Sequence, residues 1–168
     1  MTDRRVAIAQ VAARLIASEG LERASLRHIA ARMGATIGTL THQFRDRDDL
    51  VRTTFEVTVQ AIRARAARST HGKAGAELLT ATLREAIPTT EERRVESAVW
   101  LAFAMSASTN AEHAALYRDL HREWETWLTR AVAGLVPNAG LDPADAARIL
   151  MAATDGIALR ALAGGDLS

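Results

Sequence analysis

Residues 36–43 gather Thr36, Thr39, Thr41, His42 and Gln43, with Gly38 among them. Hydroxyl, imidazole and amide groups of this size are recognition chemistry. On one helix face they suit hydrogen bonding to base edges in the DNA major groove, and Gly38 removes bulk where the backbone must come closest. Ile37, Leu40 and Phe44 fall three or four residues apart in the same stretch and are expected to anchor its other face. A helix needs something to hold it in place. Ser25 is a good N-cap for a preceding short helix that turns Leu26, Ile29 and Ala30 inward and ends near Met33. Gly34 and Ala35 then make a tight turn, and Thr36 caps the second helix. Capped helix, small-residue turn and capped helix with a polar outer face together read as a helix–turn–helix.

Charge supports that reading once it is taken by region. The 168 residues carry 21 Lys+Arg and 20 Asp+Glu, a net of +1 that by itself argues against a nucleic-acid partner. Residues 1–47 nevertheless sum to +4 and residues 48–168 to −3, so the basic excess sits with the helix–turn–helix, as phosphate contacts require. Other chemistries find little support. Cysteine is absent, which excludes disulfides, cysteine-ligated metals and a thiol nucleophile. No nucleophile, base and orienting acid share a recognisable local pattern, so an enzyme is not expected. His113, Tyr117, His121 and Glu125 recur at four-residue steps. Such steps drift around a helix and no third strong ligand accompanies the two histidines, so no metal or cofactor is expected.

Six aromatic residues lie beyond residue 50: Phe55, Trp100, Phe103, Tyr117, Trp124 and Trp127. Their concentration between 100 and 127 fits either core packing or a small-molecule pocket. Trp100 and Phe103 are the first pocket candidates, followed by Tyr117 and Trp124.

The elements that must position these residues are all helical. Alanine occurs 35 times, against 10 Gly and 3 Pro, a composition that favours helix almost everywhere. The first helix spans Asp3 to Glu19, capped by Asp3 and ended by Gly20. A fourth starts at Asp46 or Arg47 and reaches about Ser69; a fifth runs from about Lys73 to Ile87 before Pro88. A sixth is capped by Thr89 or Thr90, a seventh by Asn110, running to Leu135, and an eighth by Asp142, running to about Ala163. Pro137, Gly140 and Pro143 mark the last loop. The expected fold is all-α: an N-terminal three-helix DNA-binding domain over 1–46 and a helical ligand-binding and dimerisation domain over 47–168. Gln10 and Arg14 interrupt the first apolar run, so it reads as an amphipathic helix and not a signal peptide. No stretch of 18 uncharged apolar residues is found, so no membrane partner is expected and a cytoplasmic location follows. The eighth helix is apolar around most of its circumference, with Ile149, Leu150, Met151, Ile157, Leu159 and Leu162, which requires burial on more than one side, a second subunit being one such partner.

Residues 5–50 resemble the DNA-binding domain of the TetR family of bacterial transcriptional regulators. The resemblance rests on the Ala-rich first helix ending at Gly20, on residues 25–30 (Ser-Leu-Arg-His-Ile-Ala), on Met33 to Thr36, on Gly38-Thr39-Leu40 leading to Phe44, and on Arg47 to Leu50. Thr41 stands where the family usually has tyrosine, and Gln43 where it usually has histidine. Trp100 to Phe103, Ala115 to Arg118 running into Trp124, and Asp155 to Leu159 resemble the choline-responsive BetI-type subfamily. The resemblance implies a ligand-responsive repressor. Helix 36–43 is then the recognition helix, with Thr36, Thr39, Thr41 and His42 at or near base edges and Ser25, Arg27, Gln43 and Arg47 on phosphates. Arg4 and Arg5 stand either as an electrostatic arm or as a frayed terminus. Helices 111–135 and 142–163 would form a four-helix bundle across a two-fold axis, so that a homodimer meets a palindromic operator in double-stranded DNA. In helix 111–135, Leu116, Leu120, Trp124, Trp127, Ala131 and Leu135 supply the stripe. An unidentified small molecule is the second partner, and three tryptophans are enough to cage a cation. The alternative is a helical ligand- or protein-binding module whose helix–turn–helix has lost DNA affinity through Thr41.

Overall fold

The computed structural model describes residues 1–135 and 140–164. These residues form eight α-helices and one 3-10 turn, with no strand among them: α1 (Asp3–Glu19), α2 (Leu26–Arg32), α3 (Ile37–Thr41), α4 (Arg47–Thr70), α5 (Gly75–Ala86), α6 (Glu91–Ala107), α7 (Ala111–Ala133) and α8 (Pro143–Leu162). Pro137, read from the sequence as a loop marker, lies outside the described residues.

Most helix starts obey local capping chemistry. The side chains of Ser25, Thr36, Asp46, Thr90, Asn110 and Asp142 each accept a backbone N–H from the first turn of the helix they precede. Two starts differ from expectation. Thr2, not Asp3, caps α1: its backbone is extended and its hydroxyl accepts from the Arg5 N–H, which leaves Asp3 in the first turn where the helix dipole favours an acid. The fifth helix begins at Gly75, two residues later than Lys73, with no side-chain cap. Gly34, at φ +62°, makes the left-handed turn between α2 and α3 that a side chain would strain.

Three apolar clusters hold the helices together. Ile8, Ala12, Leu15, Ile29, Ala30, Leu40, Phe44 and Leu50 form the core of the N-terminal unit. Ala13, Ile16, Val51, Phe55, Val59, Val99 and Phe103 join α1, α4 and α6 in a second. Leu128, Val132, Ala146, Ala147 and Met151 join α7 to α8 in a third, with Leu79 and Leu83 of α5 packed against it. Helix α4 therefore belongs to two cores, with Leu50 in the first and Val51, Phe55 and Val59 in the second. Its buried Thr54 and Thr58 hydroxyls donate to the carbonyls one turn back, at 2.8 Å each, so they enter the interior satisfied.

Ile37 corrects the sequence reading. It is 46% exposed, whereas Leu40 and Phe44 on the same stripe are 0% and 1% exposed. Leu40 and Phe44 fill the first core, and Ile37, one turn earlier, lies beyond its edge.

The apolar positions of the last two helices are distributed unequally. On α7 most of the stripe turns inward: Leu116 and Leu120 pack against the second cluster, Trp124 against the third, and Leu128 and Ala131 are buried, whereas Leu135, expected on the same stripe, lies past the helix end at Ala133 and is exposed. On α8 an apolar face remains open. Ile149 and Leu159 are 60% and 59% exposed, with Ala152, Ala153 and Gly156 exposed between them.

Candidate functional site

The helix–turn–helix presents a short reading element. Helix α3 covers only Ile37–Thr41, and His42 is its C-cap, so the expected 36–43 helix is trimmed at both ends. Thr36, Gly38, Thr41 and His42 are exposed and Thr39 is half-buried. A Cβ built on Gly38 meets nothing nearer than the Thr36 hydroxyl at 3.8 Å, and the residue lies in the helix without positive φ. The fold itself therefore does not require glycine there; its small size matters only toward the outside. Arg27 is exposed, and Ser25 is half-buried with its hydroxyl occupied as the α2 cap.

Two side chains expected on DNA, Arg47 and Gln43, have partners within the protein, and so does Arg5, which was open between an arm and a frayed end. The Arg47 guanidinium donates to the carbonyls of Ala24 at 3.1 Å and Leu21 at 2.8 Å, which ties the start of α4 to the link between α1 and α2. Gln43 accepts from the Thr2 hydroxyl at 3.3 Å. Arg5 is neither a free arm nor a frayed end. It donates to the Gln43 carbonyl, to Asp49 at 3.0 Å and to Thr53 at 2.7 Å, and lies 4.3 Å from the centre of the Phe44 ring. Asp49 is the hub of this cluster, with only 4% of its side chain exposed and Arg45 and Arg52 also against it. Burial alone would raise its pKa; the Arg5 hydrogen bond, the Arg45 N–H and the nearby positive charges outweigh burial and hold it below the usual carboxylate range.

The second feature is a cavity of about 670 Å³ bounded by α4, α5, α6, α7 and α8. Trp100, Leu120, His121, Trp124, Trp127 and Asp155 are among its walls, and α4 contributes Val59, Ile62, Arg63 and Ala66. Trp124 and Trp127 stack with ring centres 5.3 Å apart. Of the predicted pocket residues, Trp100 and Trp124 line the space. Phe103 does not: it is 1% exposed and stacked on Phe55 at 3.8 Å, a core residue. Tyr117 stands behind Trp100, 5.3 Å from its ring. Sequence reasoning missed Asp155, His121 and Trp127 as lining residues. An isolated acid on the most apolar helix was the available signal for Asp155.

The charges of the cavity fall into two kinds. Glu85 and Glu96 reach its wall already neutralised, because Arg65 of α4 binds Glu96 with both terminal nitrogens at 2.5 and 2.6 Å and Glu85 at 2.5 Å. Arg93 adds a 3.0 Å contact to Glu85, and together the two arginines outweigh burial and lower the Glu85 pKa. Arg63 pairs with Glu123, and Arg130 is exposed to solvent. Asp155 has no hydrogen bond or ion pair among the described residues. Burial pushes its pKa up, and His121 offsets this only in part. The four-residue His113–His121 pattern does not converge on a common site: His113 is buried and bonded to Ser106 at 2.8 Å, and Glu125 binds Arg148 at 2.8 Å.

Known proteins share both halves. Residues 8–54 match the family described as bacterial regulatory proteins, tetR family, and residues 75–168 match the BetI-type transcriptional repressor C-terminal family. The HTH-type transcriptional regulator PksA of Bacillus subtilis (strain 168) is 34% identical over 108 residues, which cover 62% of this chain and 51% of PksA. The match thus spans about half the length of that relative. A transcriptional regulator from Rhodococcus sp. Rha1 superposes with a TM-score of 0.85 at 29% identity, over 97% of this chain and 84% of that one. A Saccharomonospora viridis regulator, solved in complex with choline, superposes with a TM-score of 0.90 at 24% identity, over 98% and 88% of the two chains. An exposed reading helix on a basic three-helix unit, and a cavity body matched over residues 75–168, place this chain in the TetR family of transcriptional regulators, which are not enzymes, with a BetI-type C-terminal domain.

Proposed function

We propose that the protein is a homodimeric repressor that binds a palindromic operator and releases it when an organic cation enters the cavity. Asp155 carries this reading. A half-buried carboxylate with no hydrogen bond or ion pair among the described residues, lining the cavity with Trp100, His121 and Trp124, supplies the charge and aromatic faces that bind an ammonium group. The choline found in the Saccharomonospora viridis protein belongs to the same chemical class. The open apolar face of α8 is the surface on which a second copy packs, with the exposed side of α7 at its border. Two recognition helices would then lie about one turn of DNA apart, roughly 34 Å.

Release follows from linkage. Helix α4 lines the cavity and begins at the recognition unit, and Asp155 lies on the proposed dimer helix. A ligand that favours one spacing of the two reading helices over another shifts the population toward it, and operator affinity changes by that differential. Binding to chromosomal DNA also implies a cytoplasmic location. Among the described residues no helix is long and apolar enough to cross a membrane.

The test begins with duplex binding at low salt. Salt-dependent, sequence-selective retention is expected; its absence would favour the helical binding module without DNA affinity. Choline and its neutral isostere 3,3-dimethylbutanol are then titrated against tryptophan fluorescence and operator affinity. Equal binding of the two would reject the cation, and unchanged operator affinity with ligand bound would reject release. Sedimentation of Leu159→Glu is expected to show a monomer, and an unchanged species would reject α8 as the interface.

A further inference from the structure

We propose that α3 selects its operator through methyl groups, with Ile37 as the residue that packs on the C5-methyl of a thymine in the major groove. The inference rests on the DNA-binding reading above and adds a specificity residue that the sequence had assigned to the core. Two observations carry it.

The first is exposure. Ile37 is 46% exposed between Thr36 and Gly38, both themselves exposed. Met33, four residues earlier across the Gly34 turn, is 37% exposed. Neither side chain is needed inside, because Leu40 and Phe44 already complete the first core. A lone exposed apolar residue on a protein surface needs no explanation. A branched aliphatic side chain on the face that would enter the groove does have a natural occupant.

The second is the state of the hydroxyls. Thr36 accepts the Thr39 N–H at 3.3 Å and lies 3.1 Å from the Thr39 hydroxyl. Thr41 donates its proton to the Gly38 carbonyl at 3.2 Å. The three threonines thus spend part of their hydrogen-bonding capacity on α3 itself, Thr41 its only proton, so a base edge meets fewer free donors there than three threonines would offer. The outer face of α3 therefore has fewer free hydroxyl donors than its composition implies, with the Ile37 side chain exposed among them. In the major groove the thymine methyl is the apolar feature that distinguishes one base pair from another. An aliphatic side chain gains there by excluding water, and over a polar base edge it would leave a donor or acceptor unsatisfied.

The experiment selects operators for the full chain from a randomised duplex library, then replaces each thymine of the selected site with deoxyuridine, one at a time. This removes a methyl and nothing else. At one position per half-site, affinity is expected to fall about fourfold, the equivalent of one buried methyl group. Ile37→Ala is expected to lose the preference for thymine there and to bind both forms alike, while His42→Ala still distinguishes them. Equal affinity of the native protein for every deoxyuridine form, or an undiminished methyl response in Ile37→Ala, would overturn the inference and leave DNA binding intact. Failure to select any sequence would overturn the DNA-binding reading beneath it, a separate result. The scan on the native protein needs no variant, so it decides the question even if a substitution disturbs folding.

Discussion

Asp49 in the N-terminal half is a buried carboxylate and Asp155 in the cavity half a half-buried one, and their surroundings differ. Asp49 accepts from Arg5, Arg52 and the Arg45 N–H, and its pKa is held down. Asp155 has neither hydrogen bond nor ion pair among the described residues, and burial pushes its pKa up. In the first half the Arg5–Asp49 cluster ties α1 to α4 and to the Gln43 carbonyl just after α3. The other neutralises Glu85 and Glu96 with Arg65 and Glu123 with Arg63, which leaves Asp155 as the unpaired acid among the described residues of the cavity wall. A charge partly desolvated without a partner costs stability. In the proposed reading, a cationic guest supplies the missing partner.

The largest effect that sharpens this contrast is expected at Arg65. Arg65→Met leaves the buried Glu96 carboxylate unpaired and Glu85 with Arg93 alone, and should cost about 3–5 kcal/mol, read as a fall in the urea midpoint. A shift below 1 kcal/mol would show that the clamp joining α4, α5 and α6 adds little.

Asp49→Asn comes next, at about 2 kcal/mol, since charge-assisted hydrogen bonds are lost around Arg5. Its pH dependence has a definite sign. A carboxyl whose folded pKa is lowered contributes stability that is present above the unfolded value near 3.8 and lost as pH falls through the folded value. Asp49→Asn should therefore flatten the acid limb of the stability profile. For Asp155 the sign reverses: a raised pKa costs stability at neutral pH, and the cost is relieved as pH falls through the folded value. Asp155→Asn should leave neutral stability equal or higher. Matching acid limbs in the two variants would erase the comparison.

On ligand affinity, Asp155→Asn should weaken choline about tenfold, equivalent to about 1.4 kcal/mol, without changing the affinity for 3,3-dimethylbutanol. Choline affinity should likewise fall as pH drops through the Asp155 pKa. The smallest expected effect is at His42, where His42→Ala should reduce discrimination between operator and mutated operator by about fivefold, consistent with the loss of one base contact. Unchanged discrimination would remove His42 from the readout.

These two halves also differ in how far the sequence exposed them. The recognition unit was legible because its signals are local: Ser25 and Thr36 cap where expected, Gly34 takes the turn, and Leu40 and Phe44 enter the core. Its errors came from long-range partners. Nothing near Arg47 in sequence announces the carbonyls of Leu21 and Ala24, and nothing near Arg5 announces Asp49. In the cavity half, helical periodicity identified apolar stripes without saying what each would meet. Phe103 and Trp100 lie three residues apart on α6, yet one is core and the other is cavity wall.

Residue type and spacing alone determined the all-α class, nearly all the helix starts, the helix–turn–helix and the segregation of basic charge. The charge split is a plain sum along the chain, and the others depend on neighbours within about one helical turn, a range over which the chain's own geometry leaves few choices. Tertiary structure decided the rest: that Ile37 lies outside the core, that Arg5 and Arg47 bind inward, and that Asp155, half-buried on the cavity wall, has no ion pair among the described residues. Those outcomes depend on where five or more helices stop against one another. A stripe of apolar residues says that a helix face is to be covered, but the lengths and crossing of its partners set how far the cover extends.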